Sequence, residues 1–111
     1  MTLSDKLKMV RDALLQTSGK VYHYTKGNDA GKRYIVWQES EESSSANANN
    51  RKAEQEIHGT VDLFTIREFD TLADEIQTAL NNAGRIAWRL NSTQYEEETE
   101  LIHYEWEFWV H

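Results

Sequence analysis

Ile102-His103-Tyr104-Glu105-Trp106-Glu107-Phe108-Trp109-Val110 decides how the chain is read. Successive side chains of a strand point to opposite faces. Ile102, Tyr104, Trp106, Phe108 and Val110 therefore share one face, and His103, Glu105, Glu107 and Trp109 the other. A period of two marks a strand with one buried and one wet face. Upstream, Ile86, Trp88 and Leu90 alternate with Ala87, Arg89 and Asn91, and the run Glu96-Glu97-Glu98-Thr99-Glu100 lies near the bend. Residues 88–111, with three of the four tryptophans, thus read as one antiparallel hairpin. Trp88 and Trp106 belong in the core. Trp109 is a large apolar side chain left among polar neighbours.

Working back, residues 33–39 read as a strand with two apolar faces, Tyr34 and Val36 on one and Ile35 and Trp37 on the other. Residues 40–50, built of Ser, Glu, Ala and Asn, offer too little apolar surface to repay ordering. They read as a mobile loop, spanning about 40–52, at the end of a hairpin. The chain returns as a strand from about Ala53 to Thr65 with Ile57, Val61 and Leu63 in phase. Thr65-Ile66-Arg67-Glu68 has capping-box spacing, which predicts a helix whose stripe is Phe69, Leu72, Ala73, Ile76, Ala79, Leu80 and Ala83, with Gly84 as its left-handed cap. Thr2-Leu3-Ser4-Asp5 has the same spacing and opens a first helix on Leu3, Leu7, Val10 and Leu14, with Gly19 as its stop. A short strand at 21–24 and a turn over 25–32 follow. Without an alternating βαβ pattern, this order predicts one α+β domain over 1–111: a mostly antiparallel four- to five-stranded sheet with two helices packed on one face.

A chain of 111 residues suffices for one core without staples. The absence of cysteine excludes disulfides, thiolate nucleophiles and Cys-ligated metals. Residues 1–8 lack the apolar stretch of a signal peptide and no 18-residue apolar run exists, so a cytosolic, non-membrane protein is expected. Twelve basic residues stand against nineteen acidic ones, net −7. Duplex binding depends on clustered Lys and Arg, so no sequence-specific nucleic-acid contact is expected.

His23, His58, His103 and His111 form no HxH, HxxH or HExxH pair, and strand histidines that are solvated or hydrogen-bonded explain them. His103 beside Glu105 offers one pH-sensitive pair. The Glu96–Glu100 run lacks the Asp, Asn and Gly spacing of a calcium loop and reads as a solvated turn. No GxSxG turn or glycine-rich loop feeding a helix is present. No catalytic residue, metal or cofactor is expected. Two helices cover one sheet face only, so Trp37, Phe64 and Trp109 are candidate interface anchors on the other, for which self-association is the simplest use.

The segments Tyr34-Ile35-Val36-Trp37-Gln38-Glu39, Gly59-Thr60-Val61-Asp62-Leu63-Phe64-Thr65, Trp88-Arg89-Leu90-Asn91-Ser92 and Tyr95-Glu96-Glu97-Glu98-Thr99, with Ile102-His103-Tyr104-Glu105-Trp106, resemble small proteins of the tail modules of long-tailed phages and prophages of Gram-positive bacteria. Those proteins are similar in size and element order to tail terminator, or tail completion, proteins. The resemblance spans about Val10 to Val110 and rests on the whole domain rather than on a catalytic motif. It implies a non-enzymatic virion protein, made in the host cytoplasm and ending in the tail. Such a protein forms a hexameric ring that caps the tail tube protein and meets the head connector protein. It also implies a docking role for the 40–50 segment, with Glu41, Glu42, Ser44, Asn47 and Asn49 as candidates. From a different class, a small protein- or sugar-binding module using the aromatic sheet face fits the same residues. A small hydrolase is the third option and needs a polar cleft.

Overall fold

The computed structural model describes residues 1–48 and 51–111, with backbone alone for 44–48 and 51–53. Its order is α1 (Leu3–Leu14), β1 (Val21–His23), β2 (Arg33–Ala48), β3 (Arg51–Thr65), α2 (Thr71–Asn82), β4 (Ile86–Glu96) and β5 (Leu101–Val110). The strands form one sheet in the order β1-β2-β3-β5-β4. Only the β1–β2 pair is parallel, so the fold is α+β with a mostly antiparallel sheet. Both helices lie on one face. Val10, Ala13 and Leu14 from α1 and Leu72, Ile76 and Leu80 from α2 pack with Ile35, Trp37, Val61, Leu63, Trp106, Phe108 and Val110 into a single core.

The closing hairpin folds as its alternation requires. Trp106 is 1% exposed, and its indole Nε1 donates to Gln77 Oε1 of α2 at 3.0 Å. Trp88 packs against the same core. Leu90 stays exposed, next to a register shift between Leu90 and Ser92. The capping box at Thr2 forms in full: Asp5 N–H donates to Thr2 Oγ1 and Thr2 N–H to Asp5 Oδ2, each at 3.1 Å. Helix α1 ends at Leu14 with Leu15 as its cap, before Gly19. Gly84, with φ +81, follows the α2 cap Ala83 in the left-handed conformation.

Three expectations are corrected. Trp37 is 2% exposed and belongs to the core rather than to an interface. Its register partners Val61 and, one strand on, Trp106 face the helices, so the pleat carries Trp37 with them. Helix α2 starts at Thr71, capped by Asp70. Thr65 ends β3 instead, and Phe69 is not part of the helical stripe but 86% exposed. Finally, segment 40–48 is strand, not loop: β2 and β3 stay paired from Arg33↔Thr65 through to Ala48↔Arg51, with three register shifts. Ladder hydrogen bonds need backbone rather than apolar side chains, so a hairpin already paired at its root can extend through a polar sequence. Glu41 and Glu42 are exposed on this stretch, and Ser44 and Asn47 lie within its ladder. Asn49 lies outside the described residues.

Strand β5 accompanies β3 only as far as Ile57↔Val110. Beyond that level β2 and β3 continue alone as a two-stranded arm, and the molecule measures 52 × 25 × 24 Å. At the root of the arm, buried Lys6 of α1 donates from Nζ to the Gln55 carbonyl at 2.6 Å. Among the described residues no helix is long and apolar enough to cross a membrane.

Candidate functional site

The helix-free sheet face is built from the alternate residues of three strands. Tyr34 and Val36 come from β2, Thr60, Asp62 and Phe64 from β3, and His103, Glu105, Glu107 and Trp109 from β5. Register places them in rows: Tyr34↔Phe64↔His103 and Val36↔Asp62↔Glu105. Cross-strand neighbours on one face interact directly, and here they stack. The Tyr34 and Phe64 centroids are 5.1 Å apart, and Phe64 lies 4.2 Å from the His103 ring. Ala30, Tyr34 and Leu101 form a second, smaller buried cluster with Tyr22, Val36 and Phe64 against it.

His103 pairs across the sheet rather than along its strand. Its Nε2 lies 2.6 Å from Asp62 Oδ1, whereas Glu105 accepts from Asn91 Nδ2 at 2.6 Å. The expected His103–Glu105 pair does not form: the His103 ring reaches diagonally across to Asp62, the residue opposite Glu105 on β3. The second ring nitrogen, Nδ1, is buried 3.3 Å from Glu96 Oε2 without hydrogen-bond geometry. Burial pushes the Asp62 carboxyl above its ordinary range, against the opposing pull of the His103 hydrogen bond. A histidine and carboxylate in contact can exchange a proton, and the Thr60 side chain also hydrogen-bonds Asp62.

Farther along the face, Trp109 stacks on His58 at 5.2 Å. His58 sits between Glu41 at 3.4 Å and Glu107 at 3.9 Å, and Arg89 Nε donates to Glu107 Oε2 at 3.1 Å. Phe64 and Trp109 therefore share the open face at separate levels of the sheet, both half-buried, while Trp37 lies beneath the helices. His23 belongs to a separate network at the β1 edge: its ring stacks on Trp37 at 3.9 Å, and Nε2 lies 2.7 Å from Glu39 Oε1. No group of three or more His, Asp or Glu side chains among the described residues is placed to hold a metal ion.

A shallow recess of about 380 Å³ opens on this face. Tyr34, Val36 and Phe64 line it together with Lys26 and Asp62. Lys26 Nζ lies 5.2 Å from the Tyr34 ring centroid, a cation–π contact. Sequence alternation marks the face but not this recess, because Lys26 arrives from the turn before β2.

The β3–α2 connection, which the sequence reading absorbed into a helix, carries the most exposed large apolar side chain of the described residues. Phe69 is 86% exposed with φ +55, and Ile66 beside it is 57% exposed. Buried Asp70 anchors the connection. It accepts Arg33 Nη2 at 2.8 Å and Nε at 2.9 Å, Thr65 Oγ1 at 2.6 Å and Leu72 N–H at 2.9 Å. The Arg33 guanidinium above all holds the Asp70 carboxyl well below the usual carboxylate range. The signal for this arrangement was available: an Asp directly before a helix-forming run is an N-cap as well placed as Thr65. Compared with known proteins, the chain matches no family model and no curated relative.

Proposed function

We propose that the chain is a non-enzymatic assembly protein of a long-tailed phage or prophage, a tail terminator that closes the tail tube as a ring and meets the head connector. The two-stranded arm carries this reading. An isolated hairpin is marginal in water, so an arm reaching past the end of β5 gains its stability where it lies against another subunit. The half-buried Trp109 and Phe64 on the helix-free face supply further contact surface, and a net charge of −7 suits a ring through which DNA passes without sticking. Light scattering of the purified protein, alone and with preformed tail tubes, tests it. A ring, free or formed on tube ends, is the expected result. A monomer that ignores tubes at high concentration overturns it. The 380 Å³ aromatic recess then favours the second reading, a small protein- or sugar-binding module.

A further inference from the structure

We infer that copies of this chain join through Phe69, which inserts with Ile66 into the open-face recess of a second copy. A phenylalanine in the left-handed region is a backbone outlier, and such conformations persist only where surrounding structure over-determines them. Here the determinants are visible on both sides. Ile66 N–H donates to the Lys32 carbonyl at 3.1 Å, Arg67 N–H to Thr65 Oγ1 at 3.1 Å, and Asp70 is locked by Arg33, Thr65 and Leu72. The loop is therefore a rigid presenter of an apolar side chain that contributes nothing to its own core. A preorganised aromatic of this kind loses little freedom on docking, which is the property of an interface anchor.

The recess offers it an apolar seat beside a cation. Tyr34, Val36 and Phe64 give the recess an apolar, aromatic lining, beside which stand Lys26 and the hydrogen-bonded pair His103 and Asp62. The knob is flanked by Arg67 and Glu68, both exposed. Seating Phe69 there brings the Glu68 carboxylate toward Lys26, the cation of the recess. Where each copy gives its knob to one neighbour and its seat to another, the contact is heterologous and propagates until it closes. A single aromatic buries roughly 150–250 Å², well short of a stable interface of about 1,200–2,000 Å². Phe69 thus anchors a contact whose remaining area comes from the surrounding face. The inference does not depend on the tail reading; it names the surfaces by which copies meet, whatever they build.

Complementary variants test it by sedimentation velocity and light scattering on the full chain. Phe69→Ala removes the knob and leaves the seat. Val36→Arg blocks the seat and leaves the knob, and if it fails to fold, Gln38→Trp narrows the recess from an exposed position. The wild type is expected to self-associate, and each variant alone to do so at least about thirty-fold more weakly. The two mixed should form a one-to-one dimer that grows no further, because only one productive knob and seat remain. Phe69→Ala protein that associates like the wild type overturns the inference, as does a wild type that stays monomeric with and without tubes. Phe69→Ala that still forms rings on tube ends sinks this contact and spares the tail reading. Wild type that associates through Phe69 and ignores tubes does the reverse.

Discussion

Asp70 ends the knob loop and starts α2, and its side chain is almost wholly buried. Replacing it with Asn keeps a capping oxygen but leaves Arg33 without its charge partner. Because Arg33 is partly solvated, the loss should be about 2–3 kcal/mol, below the full cost of breaking a buried pair. The sign with pH follows from the depressed carboxyl. The unfolded chain takes up this proton near pH 3.9 while the folded chain resists it, so the stabilisation is complete above about pH 5 and fades as pH falls below about 4. Urea titrations at pH 7 and pH 3 should show wild type and Asp70→Asn far apart at the higher pH and closer at the lower. Phe69 next door behaves oppositely. The left-handed conformation costs a non-glycine residue about 1–2 kcal/mol, and glycine returns part of that gain as unfolded-state entropy. Phe69→Gly should raise stability by about 0.5–1 kcal/mol, seen as a higher melting temperature. Neither residue's role was legible from spacing alone, because two capping signals, Thr65 and Asp70, competed within six positions. The one chosen fits the local pattern, whereas burial beside Arg33 decides for the other.

Elements with a strict period were legible, and those without one were not. Strand β5 alternates from Ile102 to Val110 and buries Trp106, Phe108 and Val110 on the helix-covered face as read. Strand β2 is apolar on both sides at 34–37, so its pattern shows a strand but not which side the helices take. That depends on register with β3 and β5, which no single strand encodes. The continuation of β2 through 40–48 was illegible for another reason: it is held by backbone pairing, which leaves no apolar signature. Gly59 marks the place where three strands crowd. A Cβ there would collide with the Gln38 carbonyl oxygen and the Phe108 ring, one backbone and one buried core group, neither free to move. Gly59→Ala is expected to cost about 1–3 kcal/mol through overpacking, measurable as a lowered urea midpoint with an unchanged slope. A slope that changed would instead mean that β2 had shifted its pairing at the nearby Glu39/Glu41 irregularity.

For the molecule as a whole, the division of labour between faces is the testable matter. Trp37 and Trp109 both looked available for contact in the sequence, and the fold separates them. Trp37→Ala opens a cavity beneath the helices and should cost about 3–5 kcal/mol. Trp109→Ala loses a stacked, half-buried ring and should cost about 1–2 kcal/mol while weakening assembly far more. The arm divides the same way. Among the described residues its backbone past Ile57 has no third strand beside it, and Lys6 bonds it at Gln55. Replacing residues 46–54 with an Asn-Gly turn joins β2 to β3 across their Ser45–Gln55 pair by a two-residue hairpin loop and keeps the Gln55 carbonyl that Lys6 bonds. The helices, β4, β5 and the core residues stay in place. Such a variant should melt within a few degrees of the parent, because the removed ladder lies beyond the last pair that β3 makes with β5. If the arm is the assembly element, the shortened protein should fail to form rings on tail tubes at concentrations where the parent saturates them. A variant that melts normally and still caps tubes would move the whole burden of assembly to the open face and to Phe69. One that unfolds would show instead that the ladder beyond Ile57 supports the sheet from which it extends.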